Sequence, residues 1–283
     1  MNRELACTYR ACAQITRQEA RNFYYAFIRL PRAQRLSVYA LYAFCREADD
    51  IADSVQPVEV KRSALGQLRV RLRSASAGTS DSERDLALAD TFARFGVSVD
   101  DLDDVLNGME LDLTLHRVQS EAELTRYCYL AASAVGLATL PVLNDGIPPT
   151  DSMRDLGVDL GLGMQLVNIL RDVREDLERD RIYLPADRLE AFGVPVEDLK
   201  AGRPTPPIRA LLADHANRAE GLLKRGRELA PLLPRGGRQC IRLLASLYGT
   251  ILEKIRAADY DVFSSRVNLS TAEKLKLLIC ELW

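Results

Sequence analysis

The chain has 283 residues, of which 47% are hydrophobic and 28% are charged, and 38 basic residues nearly balance 40 acidic ones to leave a net charge of -2. This balance excludes recruitment of nucleic acid by a general positive field, so any anion has to be bound locally. Two histidines and six cysteines without a CxxC pair disfavour a zinc site and predict reduced thiols in a cytoplasmic protein. Metal chemistry would therefore have to use oxygen ligands.

Apolar residues recur at helical spacing along almost the whole chain, and no run alternates as a strand would. Turn signals divide the chain into about ten predicted helices, at Leu30 to Pro31 and at residues 74–82, 144–152, 201–207 and 233–238. None of these breaks is long enough to be an interdomain linker. We predict a single all-α domain spanning residues 1–283.

The N-terminus is charged throughout and does not resemble a signal peptide. No window approaches the ~20 uncharged apolar residues that a membrane span requires, so we expect no transmembrane segment. The C-terminal stretch "KLKLLICELW" leaves open a peripheral contact with a lipid surface, at the inner face of the membrane, although a packed terminal helix is the more common explanation.

The first chemically informative segment is residues 36–55, "LSVYALYAFCREADDIADSV". Its apolar residues recur on one helical face, and Asp49 falls on that same face. Asp53 follows one turn later. A helix that otherwise looks buried therefore carries two acids, Asp49 and Asp53, at its inward side.

A second segment, "GVDLGLGMQLVNILRDVREDLERD", repeats this arrangement. Gln165, Asn168, Asp172 and Asp176 form one stripe at spacings of three, four and four residues, whereas Glu175 lies about 100° away from it. Solvated helix faces, balanced by nearby arginines, would explain either acid pair alone. Like charges one turn apart repel each other unless a cation neutralises them. Because such an acid pair occurs twice in the chain, a shared cation explains both pairs.

Oxygen ligands in pairs suit Mg²⁺, which takes one or two carboxylates, keeps several waters and completes its octahedron with phosphate oxygens. Two facing acid pairs would hold a cluster of Mg²⁺ that grips a diphosphate. The expected chemistry is departure of a diphosphate leaving group, with the metal acting as a Lewis acid.

The strings "ALYAFCREADDIAD" and "QLVNILRDVREDLERDRIYLP" resemble the two aspartate-rich motifs of the squalene/phytoene synthase family. The resemblance runs from "ARNFYYAFIRLP" to "LYGTILEKIRAADYDVFSSRV" and is similar in detail to bacterial members that form presqualene diphosphate in the hopanoid and squalene pathway. It implies an all-α isoprenoid-synthase fold with helices surrounding a central apolar cavity. It also implies head-to-head (1-1′) condensation of two prenyl diphosphates through a cyclopropylcarbinyl diphosphate.

The resemblance also implies roles for individual residues. Two to three Mg²⁺ ions would bind together with the diphosphates. Their protein ligands would be Asp49, Asp53, Asn168, Asp172 and Asp176. Catalytic positions would be Arg46, Arg171, Tyr42, Tyr248 and Tyr129, the last matching a tyrosine thought to steady the carbocation or to help remove its proton. Substrate-binding positions would be Asn22, Phe23, Gln165 and Arg266.

Each assignment has a structural alternative. The tyrosines are ordinary core aromatics by default, and Arg46 and Asp49 could form a surface ion pair. Family serines are replaced here by Ala20 and Asn22, which puts the anchoring of one diphosphate in doubt. Glu110 and Asp112 have the wrong spacing for a metal pair and are assigned only to the cavity wall.

The resemblance leaves the product open. We favour two farnesyl diphosphates giving presqualene diphosphate, or continuing to dehydrosqualene, or to squalene if NADPH supplies a hydride. The alternative is a phytoene synthase that uses geranylgeranyl diphosphate. Other hypotheses are a terpene cyclase or head-to-tail prenyltransferase, and an inactive relative that assembles pathway enzymes. Contacts with downstream isoprenoid-pathway enzymes and a monomeric or homodimeric state also remain open.

Overall fold

The computed structural model describes residues 3–19, 21–80 and 82–281, without the side chains of residues 21 and 22. Within these residues the chain is helical and contains no strand, which confirms the predicted all-α class. An isolated parallel bridge joins Arg117 to Ile182. That bridge joins the segment that follows Asp176 to the segment that follows Asp112.

The first half of the fold packs the N-terminal helices around the helix that carries the first acid pair. These helices are α1 (Arg3–Glu19), α2 (Arg21–Phe27), α3 (Arg32–Asp53), α4 (Val58–Ser76), α5 (Leu86–Phe95), α6 (Val99–Asp112), α7 (Glu121–Cys128) and α8 (Ala134–Leu143). A 3₁₀ turn precedes α5 at Glu83–Asp85. Helix α3 contacts α1, α4, α5, α6 and α8, so its two acids are held from several sides.

The second half is built on the long helix that carries the second acid group. Its helices are α9 (Asp151–Arg171), α10 (Val173–Glu178), α11 (Ala186–Ala191), α12 (Val196–Lys200), α13 (Pro206–Arg227), α14 (Arg235–Ala257) and α15 (Thr271–Cys280). A 3₁₀ turn lies at Ala230–Leu232. Each of the five predicted turn regions includes a junction between helices, and four of them extend into a helix end. The described part of the chain nevertheless has more helices than the ten predicted, because short helices such as α10, α11 and α12 carry too few residues to show a period.

Helix α9 is the centre of the core, where it packs against α8, α13 and α14. The helices approach closely because glycines replace side chains at the contacts. A Cβ at Gly226 would lie 2.5 Å from Cα of Leu160, and one at Gly161 would lie 2.5 Å from Cα of Ser133. Such distances are far shorter than van der Waals contact, so α9 can sit this deep only with glycine at these positions.

Residues Glu121–Leu143 run as one helix through a π turn at Tyr129–Ser133. Within the described residues this helix meets a length and composition test for a membrane span, with a mean hydropathy of 1.3 in its most apolar window. The sequence analysis applied a stricter standard, ~20 uncharged apolar residues, and expected no transmembrane segment. Since 61% of that window is buried inside the protein, we interpret the segment as a core helix.

Candidate active site

A cavity of about 260 Å³ lies between α3, α6, α8, α9 and α14. Its lining is mainly apolar, and its charged and amide side chains gather at one end, where Arg46, Asp49, Gln165 and Asn168 lie. A larger open groove of about 760 Å³ lies on the other side of α3. We place the site in the smaller cavity because residues from both predicted motifs meet there.

The first acid pair lies in the last turns of α3, and each of its two acids lies near an arginine. Arg46 donates a 2.9 Å hydrogen bond to Asp49 and lies 2.5 Å from the neighbouring Asp50. Arg179, at the end of α10, approaches Asp53 to 3.8 Å. This contact joins the first acid pair to the end of the second motif, so the two motifs face each other as predicted.

The second acid group lies where α9 ends and α10 begins. Sequence periodicity predicted one continuous helix, but α9 ends at Arg171, and Asp172 occupies the junction with a φ of -103° and a ψ of 12°. The amides of Asp172 and Asp176 still bond the carbonyls four residues earlier, of Asn168 and Asp172. The stripe is therefore preserved across the junction.

Asp172 is the most heavily paired acid of the site. Arg171 donates to it at 2.7 Å through Nε, and Arg266 donates to it at 2.9 Å. Arg266 also lies 3.4 Å from Glu175, so Glu175 is a salt-bridging acid. These contacts bring Arg171 and Arg266 to the second acid group.

Crowding of like charges is visible in the acids themselves. Burial and the neighbouring Asp172 raise the pKa of Asp176 to about 7, although Arg181 and Arg179 oppose the shift. Burial likewise raises the pKa of Asp49, partly offset by Arg46 and reinforced by Asp53. Burial and mutual repulsion both disfavour the charged carboxylates, and a bound cation would relieve both.

Asp112 is a member of this cluster that the sequence assigned only to the cavity wall. Its charge raises the pKa of both Asp49 and Asp176, so it lies near residues of both motifs. Tyr183 donates a 2.8 Å hydrogen bond to it, and Arg181 lies 2.9 Å from its other oxygen. The string R-I-Y-L-P contains both partners, but spacing along the chain gave no sign that they meet Asp112.

An aromatic group lies next to the polar end of the cavity. The ring of Phe23 is 6.5 Å from that of Tyr42 and 6.4 Å from that of Tyr248, and all three residues line the cavity. Burial raises the pKa of Tyr42 to about 12. The hydroxyl of Tyr248 is hydrogen bonded with Asn168. Asn168 in turn donates a 3.1 Å hydrogen bond to Gln165.

Tyr129 lies elsewhere. Its hydroxyl donates to Asp104 at 3.1 Å, and its side chain lines a surface depression rather than the cavity. The π turn that begins at Tyr129 accommodates one more residue than an α turn and so rotates the side chains that precede it. The structure thus does not bring Tyr129 to the other predicted residues. The side chain of Asn22 lies outside the described residues, as does Ala20.

The donor set fits Mg²⁺ held jointly by protein and diphosphate. Among the described residues, no three His, Cys, Asp or Glu side chains converge closely enough to hold a metal ion alone. Mg²⁺ commonly uses one or two carboxylates and takes its other ligands from water and phosphate. Oxygen donors of this kind lie on α3 and on the facing segment from α9 to α10, namely Asp49, Asp53, Asn168, Asp172 and Asp176.

Comparison with known proteins gives a consistent relationship. The family model for squalene/phytoene synthase matches residues 16–273. Phytoene synthase 3 from Zea mays is 36% identical over 279 residues, which cover 97% of this chain and 65% of the maize protein. The chain thus spans slightly less than two thirds of that relative.

Two solved structures extend the comparison. A crystal structure of a dehydrosqualene synthase in complex with ligand matches with a TM-score of 0.90 and 32% identity, covering 98% of this chain and 96% of that one. Squalene synthase HpnC from Alicyclobacillus acidocaldarius matches with a TM-score of 0.86 and 28% identity, covering 92% and 97%. The predicted fold is therefore confirmed over nearly the whole chain.

Proposed function

Because the chain belongs to the squalene/phytoene synthase family, we propose that it condenses two prenyl diphosphates head to head in a Mg²⁺-dependent transferase reaction. The observation that carries this proposal is the meeting of two acid groups and their arginines at the polar end of one apolar cavity. Bound Mg²⁺ would act there as a Lewis acid for the departing diphosphate.

The chain's own residues support the first step. The guanidinium groups of Arg46, Arg171 and Arg266 lie on the acids that would face the diphosphate. Planar guanidinium groups bind phosphate oxygens through paired hydrogen bonds. They would hold the leaving diphosphate as its C–O bond breaks and an allylic cation forms.

The cavity supports the carbon–carbon bond-forming step. The alkene of the second prenyl chain attacks the cation, and loss of one proton closes the cyclopropane ring, with one diphosphate released. Aromatic faces stabilise nearby cations, and Phe23, Tyr42 and Tyr248 line this end of the cavity. The apolar walls would keep out water that could convert the cation to an alcohol.

For the substrate we favour farnesyl diphosphate, with presqualene diphosphate as the first product. The match to a dehydrosqualene synthase structure supports the shorter chain. Geranylgeranyl diphosphate with phytoene as product is the second candidate, because the maize relative is a phytoene synthase. Continuation from the cyclopropyl intermediate to squalene would require a hydride from NADPH.

The test incubates purified protein with Mg²⁺ and either farnesyl or geranylgeranyl diphosphate, with and without NADPH, and identifies the extracted products. We expect one diphosphate released per cyclopropyl product and two per hydrocarbon. A linear, longer diphosphate would instead indicate head-to-tail transfer, and a protein without any turnover would support an assembly role.

A matched pair of variants tests the metal site. Asp172→Asn should lower turnover at least about 100-fold, because a metal ligand supplies several kcal/mol of transition-state stabilisation. Glu178→Gln is the control, since Glu178 is exposed and pairs only with Arg174 one turn away among the described contacts. Full activity in Asp172→Asn would contradict the metal assignment.

A further inference from the structure

One face of α8 and of the π turn before it is open to the cavity. Five small or medium residues of this segment are only partly buried, although the residues between them are buried. All five line the cavity, namely Ala131, Ala132, Val135, Gly136 and Thr139. Their exposure therefore arises from space inside the protein and not from the outer surface.

Two glycines of the cavity wall are not required by helix packing. A Cβ at Gly136 would meet, within 4 Å, only the carbonyl oxygen of Gly157 at 3.8 Å. A Cβ at Gly157 would lie at ordinary contact distance, 3.6 to 4.0 Å, from side-chain atoms of Leu137, Leu140 and Leu229. A methyl group would fit at either position, so what the missing side chains provide is open cavity volume.

These glycines lie at the end of the cavity opposite the acids. Asn168 and Gly157 both line the cavity and are eleven residues apart on α9, which corresponds to roughly 16 Å along the helix axis. Asp49 and Val38 have the same separation on α3. Leucine and isoleucine side chains close this far end, from Leu140, Leu143, Leu229 and Ile241.

We propose that Gly136 and Gly157, together with Leu140 and Leu229, set the longest prenyl tail that the cavity accepts. The inference rests on the proposed function, in which a diphosphate is held at the acids and its tail extends into the cavity. An additional isoprene unit has to lie against the wall that the two glycines form and press on the leucines beside them. Side chains added at the glycines should shorten the accepted tail, and side chains trimmed at the leucines should lengthen it.

The expected size of the effect follows from apolar pockets in general. One methylene group more or less changes discrimination between substrates by about 10- to 200-fold. Gly157→Ala adds one methyl group against Leu137, Leu140 and Leu229, and Gly136→Val adds a branched side chain directed at Gly157. Both variants should shift selection toward the shorter substrate by about tenfold or more.

The experiment supplies equimolar farnesyl and geranylgeranyl diphosphate with Mg²⁺ and measures the ratio of C30 to C40 products. Gly157→Ala and Gly136→Val should raise this ratio, and Leu229→Ala should lower it. Gly221→Ala is the control, because Gly221 lies on the exposed face of α13 with nothing within 4 Å of its added Cβ. Circular dichroism establishes that each variant is folded.

A second measurement is independent of turnover. Titration calorimetry with the unreactive thiolodiphosphate analogues of both substrates, in the presence of Mg²⁺, gives the ratio of the two Kd values for every variant. Opposite shifts in the glycine and leucine variants would support the proposal. Equal ratios in the wild type, Gly157→Ala and Leu229→Ala would overturn it. If the wild type binds both analogues but makes no head-to-head product, the proposed function fails and the binding ratios still decide the role of the glycines.

Discussion

The hydroxyl of Tyr183 donates a 2.8 Å hydrogen bond to Asp112, whose charge acts on an aspartate of each motif. The ring of Tyr183 stacks on that of Tyr127 with their centroids 4.6 Å apart, and Arg181 binds the other oxygen of Asp112. The bridge between Arg117 and Ile182 fixes the same segment. Asp112 is thus held by two side chains of a segment that is itself fixed by the ring stack and the bridge.

Replacing Tyr183 by phenylalanine should keep the ring stack and remove the hydrogen bond to Asp112, together with the longer 3.4 Å bond that the hydroxyl accepts from Arg181. A hydrogen bond to a charged group contributes about 1.5 to 3 kcal/mol, so the free energy of unfolding should fall by about that amount. We also expect weaker binding of Mg²⁺ with inorganic diphosphate, since Asp112 would no longer be fixed near the two motifs. Urea unfolding and titration calorimetry measure the two effects.

The control for this variant is Tyr129→Phe, which removes a similar hydroxyl from Asp104 on the outside of the cavity. It should leave binding of Mg²⁺ and diphosphate unchanged. Equal losses of diphosphate binding in both variants would contradict the assignment of Asp112 to the site.

The two acid groups could be predicted because helical periodicity is local and acids on an apolar stripe are conspicuous in the sequence. Asp112, Arg181 and Tyr183 could not, since they come from separate segments whose meeting depends on the tertiary fold. The position of Tyr129 could not be predicted either, because a π turn has no periodic signature. The sequence thus predicted the α class and the paired carboxylates, whereas the contacts between segments required the structure.

Binding of Mg²⁺ should depend on pH through Asp176. Its pKa is raised to about 7 by burial and by Asp172, so a proton competes with the metal below that pH. The affinity for Mg²⁺ with diphosphate should therefore increase as the pH rises from 6 to 8. In Asp176→Asn the affinity should be lower and this part of the pH dependence should disappear.

Calorimetric titrations of both proteins at several pH values check this expectation, after correction for the ionisation of free diphosphate. The same pH dependence in wild type and Asp176→Asn would show that the titrating group lies elsewhere.

His215 predicts a second pH effect, on stability rather than on binding. The residue is buried on α13, and burial lowers its pKa to about 4. The unfolded chain, with an ordinary histidine pKa of about 6.5, binds more protons between these values, so stability is complete above pH 6.5 and is lost as the pH falls toward 4. This single group should account for about 3 kcal/mol of that loss.

Urea unfolding of the wild type and of His215→Gln at pH 7 and pH 4.5 measures this contribution. The variant should lose less stability than the wild type over the same interval, because glutamine does not titrate. Parallel losses in the two proteins would exclude His215 as the source.

Gly161 and Gly221 give opposite predictions for the same substitution. A Cβ at Gly161 would lie 2.5 Å from Cα and 2.7 Å from the backbone nitrogen of Ser133, and backbone atoms cannot move aside as a flexible side chain could. Overpacking of this kind costs about 1 to 3 kcal/mol or more, and separation of α9 from the π turn would also widen the cavity wall. At the exposed Gly221 an added Cβ meets nothing within 4 Å, so alanine should stabilise the helix by about 0.5 to 1 kcal/mol. Thermal and urea unfolding of Gly161→Ala and Gly221→Ala should therefore give changes of opposite sign, and a neutral Gly161→Ala would mean that the two helices do not pack as closely as the structure places them.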